Sequence, residues 1–192
     1  MDYRLAIENT PASVPAGTAI LLMHPSTGGT DFVDTGFFRD DTDRFLVVST
    51  RTTAREVEQK LEHYDVDESK ADVLDTLSVD RGYSRRGGET RHYVTAPDDV
   101  DGIVSVVETF LTTHEGKRRI SVDSVSELAY YAGDHRAVQA FEGIVDLLDE
   151  HDAVGLFHVS PEVHEPATLD RLRRIGDAVI EVNEDETVRT QF

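Results

Sequence analysis

The stretch Gly17-Thr-Ala-Ile-Leu-Leu-Met-His-Pro-Ser-Thr-Gly-Gly-Thr-Asp31 decides how the rest of the chain is read. The apolar run Ala19 to Met23 is short and uninterrupted, as expected of a strand buried on both faces. It stops at Pro25, Ser26, Thr27, Gly28, Gly29 and Thr30, a turn in which the two glycines leave the backbone free to curl. Residues Thr30 to Phe38 are compatible with a helix, weakened at Gly36. A strand running through a Gly-rich turn into a helix presents backbone N–H groups and a positive helix end to an anion. Ser26, Thr27, Gly28, Gly29, Thr30 and Asp31 are therefore the candidate anion- or nucleotide-binding residues.

Around this stretch the composition narrows the classes. The chain of 192 residues carries 38 acidic and 19 basic residues, for a formal net charge of −19. Lysine occurs only at Lys60, Lys70 and Lys117, and Asp outnumbers Glu by 22 to 16. Low lysine together with high aspartate is a double bias, expected of a cytoplasmic protein from a salt-accumulating archaeon. So acidic a chain is not expected to bind nucleic acid. Without cysteine, neither disulfides nor thiol chemistry can operate. No apolar run approaches the roughly 20 residues of a membrane span, and Met1 to Asn9 does not have the pattern of a signal peptide.

Outward from the opening stretch, strand and helix patterns alternate. Residues 1 to 16 read as a polar lead-in. Phe45 to Ser49 reads as a strand. Thr53 and Glu56 form a capping box for a helix ending near His63. A third strand is expected over Ala71 to Leu77. Ser78 to His92 reads as a long loop holding Arg81, Arg85, Arg86 and Arg91, a locally basic candidate for docking an acidic partner or a nucleic-acid backbone. A helix is expected from Pro97 to Thr113, then a strand over Arg118 to Val122 ending at Asp123. Ser126 to Tyr131 should be helical, and Asp134 should cap a helix to Glu150. Ala153 to Val159 is a strand, Pro166 to Ile175 a helix, Ala178 to Val182 a strand, and Thr187 to Gln191 a last strand, antiparallel at the edge. The alternation predicts one domain over residues 1–192, a mainly parallel sheet between helices in three layers.

Arg118-Arg-Ile-Ser-Val-Asp-Ser-Val-Ser-Glu-Leu128 resembles the Walker B strand of the RecA superfamily in its KaiC-like branch, and the likeness extends over nearly the whole chain. It implies a P-loop NTPase fold, with Asp123 at the position that faces a nucleotide-bound metal. Against the phosphate-loop pattern G-x-x-x-x-G-K-[ST], however, His24 stands at the first Gly and Thr30 at the Lys. Asp31, an anion, replaces the metal-binding hydroxyl. The paired glutamates that activate water in KaiC-like ATPases correspond to Ser49-Thr50-Arg51-Thr52, which has no carboxylate. The resemblance thus implies a degenerate member with no catalytic residues, acting as a regulatory or scaffold partner in signalling, with self-association or a protein partner. No cofactor is expected. The alternatives are a weak ATPase using ATP and magnesium, or a sensor that binds a nucleotide or anion without hydrolysing it. Asp123 has a structural alternative as the cap of the following turn. Another candidate set, His158 and His164 with Glu162 and Glu165, has metal-ligating chemistry, though His158 inside an apolar strand reads as a core residue.

Overall fold

The computed structural model describes residues 1–39, 41–83 and 88–192. In chain order its strands and helices are β1 (Asp2–Arg4), β2 (Ser13–Pro15), β3 (Ala19–Met23), α1 (Asp31–Phe38), β4 (Arg44–Ser49), α2 (Ala54–His63), β5 (Ala71–Asp75), β6 (Arg91–Tyr93), α3 (Val100–Thr113), β7 (Arg118–Asp123), α4 (Val125–Ala132), α5 (Asp134–Glu150), β8 (Val154–Val159), α6 (Pro166–Ile175), β9 (Ala178–Val182) and β10 (Val188–Gln191). Among the described residues eight strands form one sheet in the order β10-β9-β3-β8-β7-β4-β5-β6. All neighbours pair in parallel except β10, which runs antiparallel to β9. The expected α/β sandwich with an antiparallel edge is what forms.

Both faces of the sheet are covered, which is why its central strands are continuous apolar runs. On one face α3, α4, α5 and α6 bury Phe110, Phe141, Leu148 and Leu172 against Leu21, Val48, Ile120 and Phe157. On the other, α1, α2 and the N-terminal pair β1–β2 cover Ile20, Leu22, Val47 and Leu156. One strand, β8, stands between β3 and β7, so the ends carrying residues 24–30 and Asp123 are separated by a strand's width.

Several boundaries differ from the sequence reading. The polar lead-in is folded: β1 and β2 pair antiparallel, and Tyr3, Leu5, Ile7 and Val14 are buried. This segment also explains Gly36. A Cβ there would lie 2.3 Å from the carbonyl oxygen of Ala6, whose N–H donates to the Gly36 carbonyl at 3.2 Å. The chain crosses α1 too closely for any side chain. Arg119, fully buried, lies over the rings of Tyr3 and Phe37, with guanidinium-to-centroid distances of 5.2 and 5.1 Å.

β5 ends at Asp75 because that carboxylate turns the chain, accepting from the N–H groups of Leu77 and Ser78, each at 2.9 Å. α3 begins at Val100, not Pro97, with Asp99 accepting from Gly102 N–H at 3.0 Å. Asp134 is the first residue of α5, whose N-cap is Gly133 at φ 85°. The capping box of α2 forms in both directions between Thr53 and Glu56.

Candidate functional site

The Gly-rich turn lies at the C-terminal end of β3, between two clefts. Gly28 N–H donates to the Pro25 carbonyl at 2.8 Å and closes the turn. Gly28, Gly29, Thr30 and Asp31 border a cleft of about 240 Å³ between α1 and α2, together with Lys60 and Asp123. Thr27 faces the opposite cleft, beside His24 and Glu162. Ser26 N–H, one of the amides that a bound anion would use, donates instead to Glu162 Oε1 at 2.6 Å.

Asp31 is not the unopposed charge that its position in the sequence suggests. Lys60 reaches from α2 to within 2.5 Å of Asp31 Oδ1, and the Tyr64 hydroxyl donates to Asp31 Oδ2 at 2.6 Å. Tyr64, the C-cap of α2, lies four residues beyond Lys60, so the two side chains emerge on the same side of the helix end. Burial works against charge on Asp31, but the Lys60 and Tyr64 hydrogen bonds outweigh it and hold the carboxyl below its ordinary value. Burial would lower the pKa of Lys60, but the charge of Asp34 and the hydrogen bond to Asp31 outweigh it and raise it.

Behind this pair lies a buried relay. Asp34 Oδ2 accepts from the Thr30 hydroxyl at 3.0 Å, and Asp34 Oδ1 lies 2.8 Å from His158 Nε2. His158 Nδ1 is 3.2 Å from His24 Nε2, and His24 Nδ1 is 2.9 Å from the Pro25 carbonyl. Hydrogen-bond accounting assigns the protons. A carbonyl only accepts, so His24 carries its proton on Nδ1 and accepts at Nε2. His158 must then donate through both nitrogens, as an imidazolium facing the Asp34 carboxylate. The pKa directions agree. Burial, and then the charge of His158, depress His24. Burial alone would depress His158, but the charges of Asp34 and Asp123 raise it. Burial would raise Asp34, but His158 lowers it.

Asp123 ends β7 at the expected place. It is not the cap of α4; Ser124 is, accepting from Glu127 N–H at 3.0 Å. Arg51 lies between the turn and Asp123, with a guanidinium nitrogen 3.6 Å from Asp123 Oδ1 and another donating to the Ser26 carbonyl at 3.3 Å. His158 Nδ1 stands 3.9 Å from the same Oδ1. Asp123 Oδ1 is buried and accepts no hydrogen bond among the described residues, which on its own would suit a metal. A divalent cation does not fit the donor set, because two protein cations already face that oxygen and Asp31 is committed to Lys60 and Tyr64.

His158 and His164 do not converge: His158 faces Asp34, while His164 bonds Ser126 on the far side of the turn. Of the arginine cluster, Arg85 and Arg86 lie outside the described residues. Arg91 belongs to β6, not to a loop, and is paired with Glu58 of α2. Arg81 is exposed, its charge reinforced by a hydrogen bond to Tyr131. Sequence reading missed Lys60, Tyr64 and Asp34, whose one visible signal is helical spacing.

Residues 1–192 match the family described as "Family of unknown function (DUF7090)", and the chain belongs to that family. No curated protein matches. Among solved structures, a KaiC-like protein from Pyrococcus horikoshii OT3 superposes with a TM-score of 0.69 at 15% identity, covering 95% of this chain and 81% of that one. An uncharacterized protein from Pyrococcus horikoshii, solved in complex with an unknown peptide, gives 0.67 at 12% identity over 92% of this chain and 83% of that one. An ATPase from the type III secretion system of pathogenic bacteria gives 0.63 at 14% identity over 90% of this chain and 53% of that one. These likenesses establish a RecA-like P-loop fold.

Proposed function

We propose that this member of the DUF7090 family is a degenerate RecA/KaiC-like protein that does not hydrolyse nucleotides and serves as a regulatory or scaffold partner in the cytoplasm of a halophilic archaeon. One observation carries the reading: the groups that would meet a magnesium nucleotide are occupied by the protein itself. Lys60 neutralises Asp31, Arg51 bridges the turn to Asp123, and Glu162 takes the Ser26 N–H. Phosphoryl transfer depends on positioning and on neutralising developing charge. Cations spent on internal carboxylates supply neither. The weak-ATPase alternative would require Arg51 and Lys60 to leave their carboxylates, and a sensor would require Glu162 to leave Ser26.

The partner role draws support from the peptide held by one structural relative. The halophilic setting draws on the net charge of −19. The test is phosphate release from magnesium ATP over hours in molar potassium chloride. The expected rate equals that of the Asp123→Ala variant. Turnover present in the natural chain and lost in Asp123→Ala would make the protein an ATPase.

A further inference from the structure

We propose that Ser126, His164 and Asp134 form a second site, a nucleophile–base–carboxylate constellation that cleaves small carboxylic esters with an apolar acyl group. The three residues come from separate elements that meet at the C-terminal end of the sheet, where open α/β sheets bind ligands. Ser126 lies in the first turn of α4, directly after β7. His164 follows the short 3₁₀ turn Pro161–Val163 beyond β8, and Asp134 opens α5. Along the chain they run Ser, Asp, His, one of the known orders for this chemistry.

The distances set the roles. Ser126 Oγ is 2.7 Å from His164 Nε2. His164 Nδ1 faces Asp134 Oδ1 at 3.5 Å without a hydrogen bond among the described residues, the His164 side chain being 1% and the Asp134 side chain 43% exposed. Asp134 Oδ2 is itself held, accepting from the Thr168 hydroxyl at 2.8 Å. The Ser160 N–H donates to Ser126 Oγ at 2.8 Å and aims it. In the reactive arrangement the Ser126 hydroxyl donates to His164 Nε2. That arrangement places the His164 proton on Nδ1, on the side of Asp134. This is the protonation state in which histidine serves a serine as general base.

A cleft of about 280 Å³ opens beside Ser126, bordered by Arg51, Ser124, Tyr130, Ser160 and Val163. Tyr130 and Val163 are 81% and 58% exposed, large apolar side chains at its rim that suit an acyl chain. The first-turn N–H groups of α4 at Val125 and Ser126 have no intrahelical acceptor and offer donors to an oxyanion beside the nucleophile.

The reaction balances with water as its other reactant. Ser126 Oγ bonds to the carbonyl carbon as its proton passes to His164 Nε2. The ester C–O bond breaks as His164 returns that proton to the departing alcohol oxygen. Water then attacks the acyl-serine, giving its proton to His164. The acid leaves, and the proton returns to Ser126 Oγ. Asp134 is a positioning residue: its carboxylate faces the imidazole and favours the charged form once the proton has passed to it.

The test treats the full chain in molar potassium chloride with phenylmethylsulfonyl fluoride, maps adducts by mass spectrometry, and follows hydrolysis of p-nitrophenyl butyrate. The expected result is one sulfonyl adduct on Ser126, with adduct and hydrolysis both abolished by Ser126→Ala. His164→Gln should slow labelling by about 10²-fold or more. Asp134→Asn should slow labelling and change its pH profile without moving the adduct. A folded natural chain with no adduct on Ser126, or Ser126→Ala hydrolysing the ester at the natural rate, would overturn the proposal. Should a variant unfold, the adduct map of the natural chain still decides.

Discussion

Replacing Asp34 by Ala should destabilise the protein by about 3–5 kcal/mol, because it strands a buried imidazolium. For a chain of 192 residues that is a fall in melting temperature of roughly 10 °C. The side chains of His158 and Asp34 are 1% and 15% exposed, so solvent does little to screen the loss. Lys60 would also lose one of its two carboxylates, 4.0 Å away. Removing both partners together, in Asp34→Leu with His158→Leu, should cost less than Asp34→Ala alone. The pair also sets a pH window. His158 has a raised pKa, so its contribution is full below its ordinary value of 6.5 and is lost as pH rises through the folded value. Asp34 has a lowered pKa, so its contribution is full above its ordinary value of 3.8 and is lost as pH falls through the folded value. His24, lowered, works the other way from His158 and favours the folded state above 6.5. The gap between natural and Asp34→Asn melting temperatures should therefore be widest between 3.8 and 6.5 and narrow on the alkaline side. A gap constant from pH 4 to pH 10 would contradict the assignment of an ion pair.

Asp75→Ala should cost about 4 kcal/mol or more. Asp75 is 1% exposed and accepts four hydrogen bonds, from Leu77 N–H, Ser78 N–H, the Ser78 hydroxyl and Ala54 N–H. Each buried donor left without a partner costs roughly 1–3 kcal/mol. Ala54 is the first residue of α2, so this carboxylate ties the end of β5 to the helix that presents Lys60 and Tyr64. Asp75→Asn, which keeps acceptor capacity, should lie between the variant and the natural chain. Urea titration measures both, and a loss under 1 kcal/mol for Asp75→Ala would mean that the loop re-forms its bonds elsewhere.

What the sequence made legible was whatever is encoded locally. The run Ala19 to Met23, the break at Pro25, and the reciprocal Thr53 and Glu56 cap each lie within a few residues and survive in the fold. The pattern around Asp123 located β7 to its last residue. The occupants of the turn were hidden because they come from elsewhere in the chain. Lys60 lies 29 residues beyond Asp31, and Glu162 lies 136 beyond Ser26. Lys60 has no unusual neighbourhood of its own, and Glu162, set among His158, His164 and Glu165, points to a metal rather than to the turn. The N-terminal segment was misread as a lead-in although Tyr3, Leu5 and Ile7 recur at every second residue, the spacing of a half-buried strand; the run is short and broken by Pro11 and Pro15, and in the fold it packs into the core. Gly36 looked like a weak point in a helix, but its role is to let Ala6 pass. Ser126, Asp134 and His164 carry no common motif, and adjacency of β7 and β8 alone brings them together.

The occupied turn is tested most directly by calorimetric titration of the folded protein with magnesium ATP in molar potassium chloride. No saturable heat is expected at millimolar nucleotide, since binding must first break the Lys60–Asp31, Arg51–Asp123 and Glu162–Ser26 contacts. Saturable binding at micromolar concentration, weakened by Asp123→Ala, would show that those contacts yield to a nucleotide and would contradict that expectation.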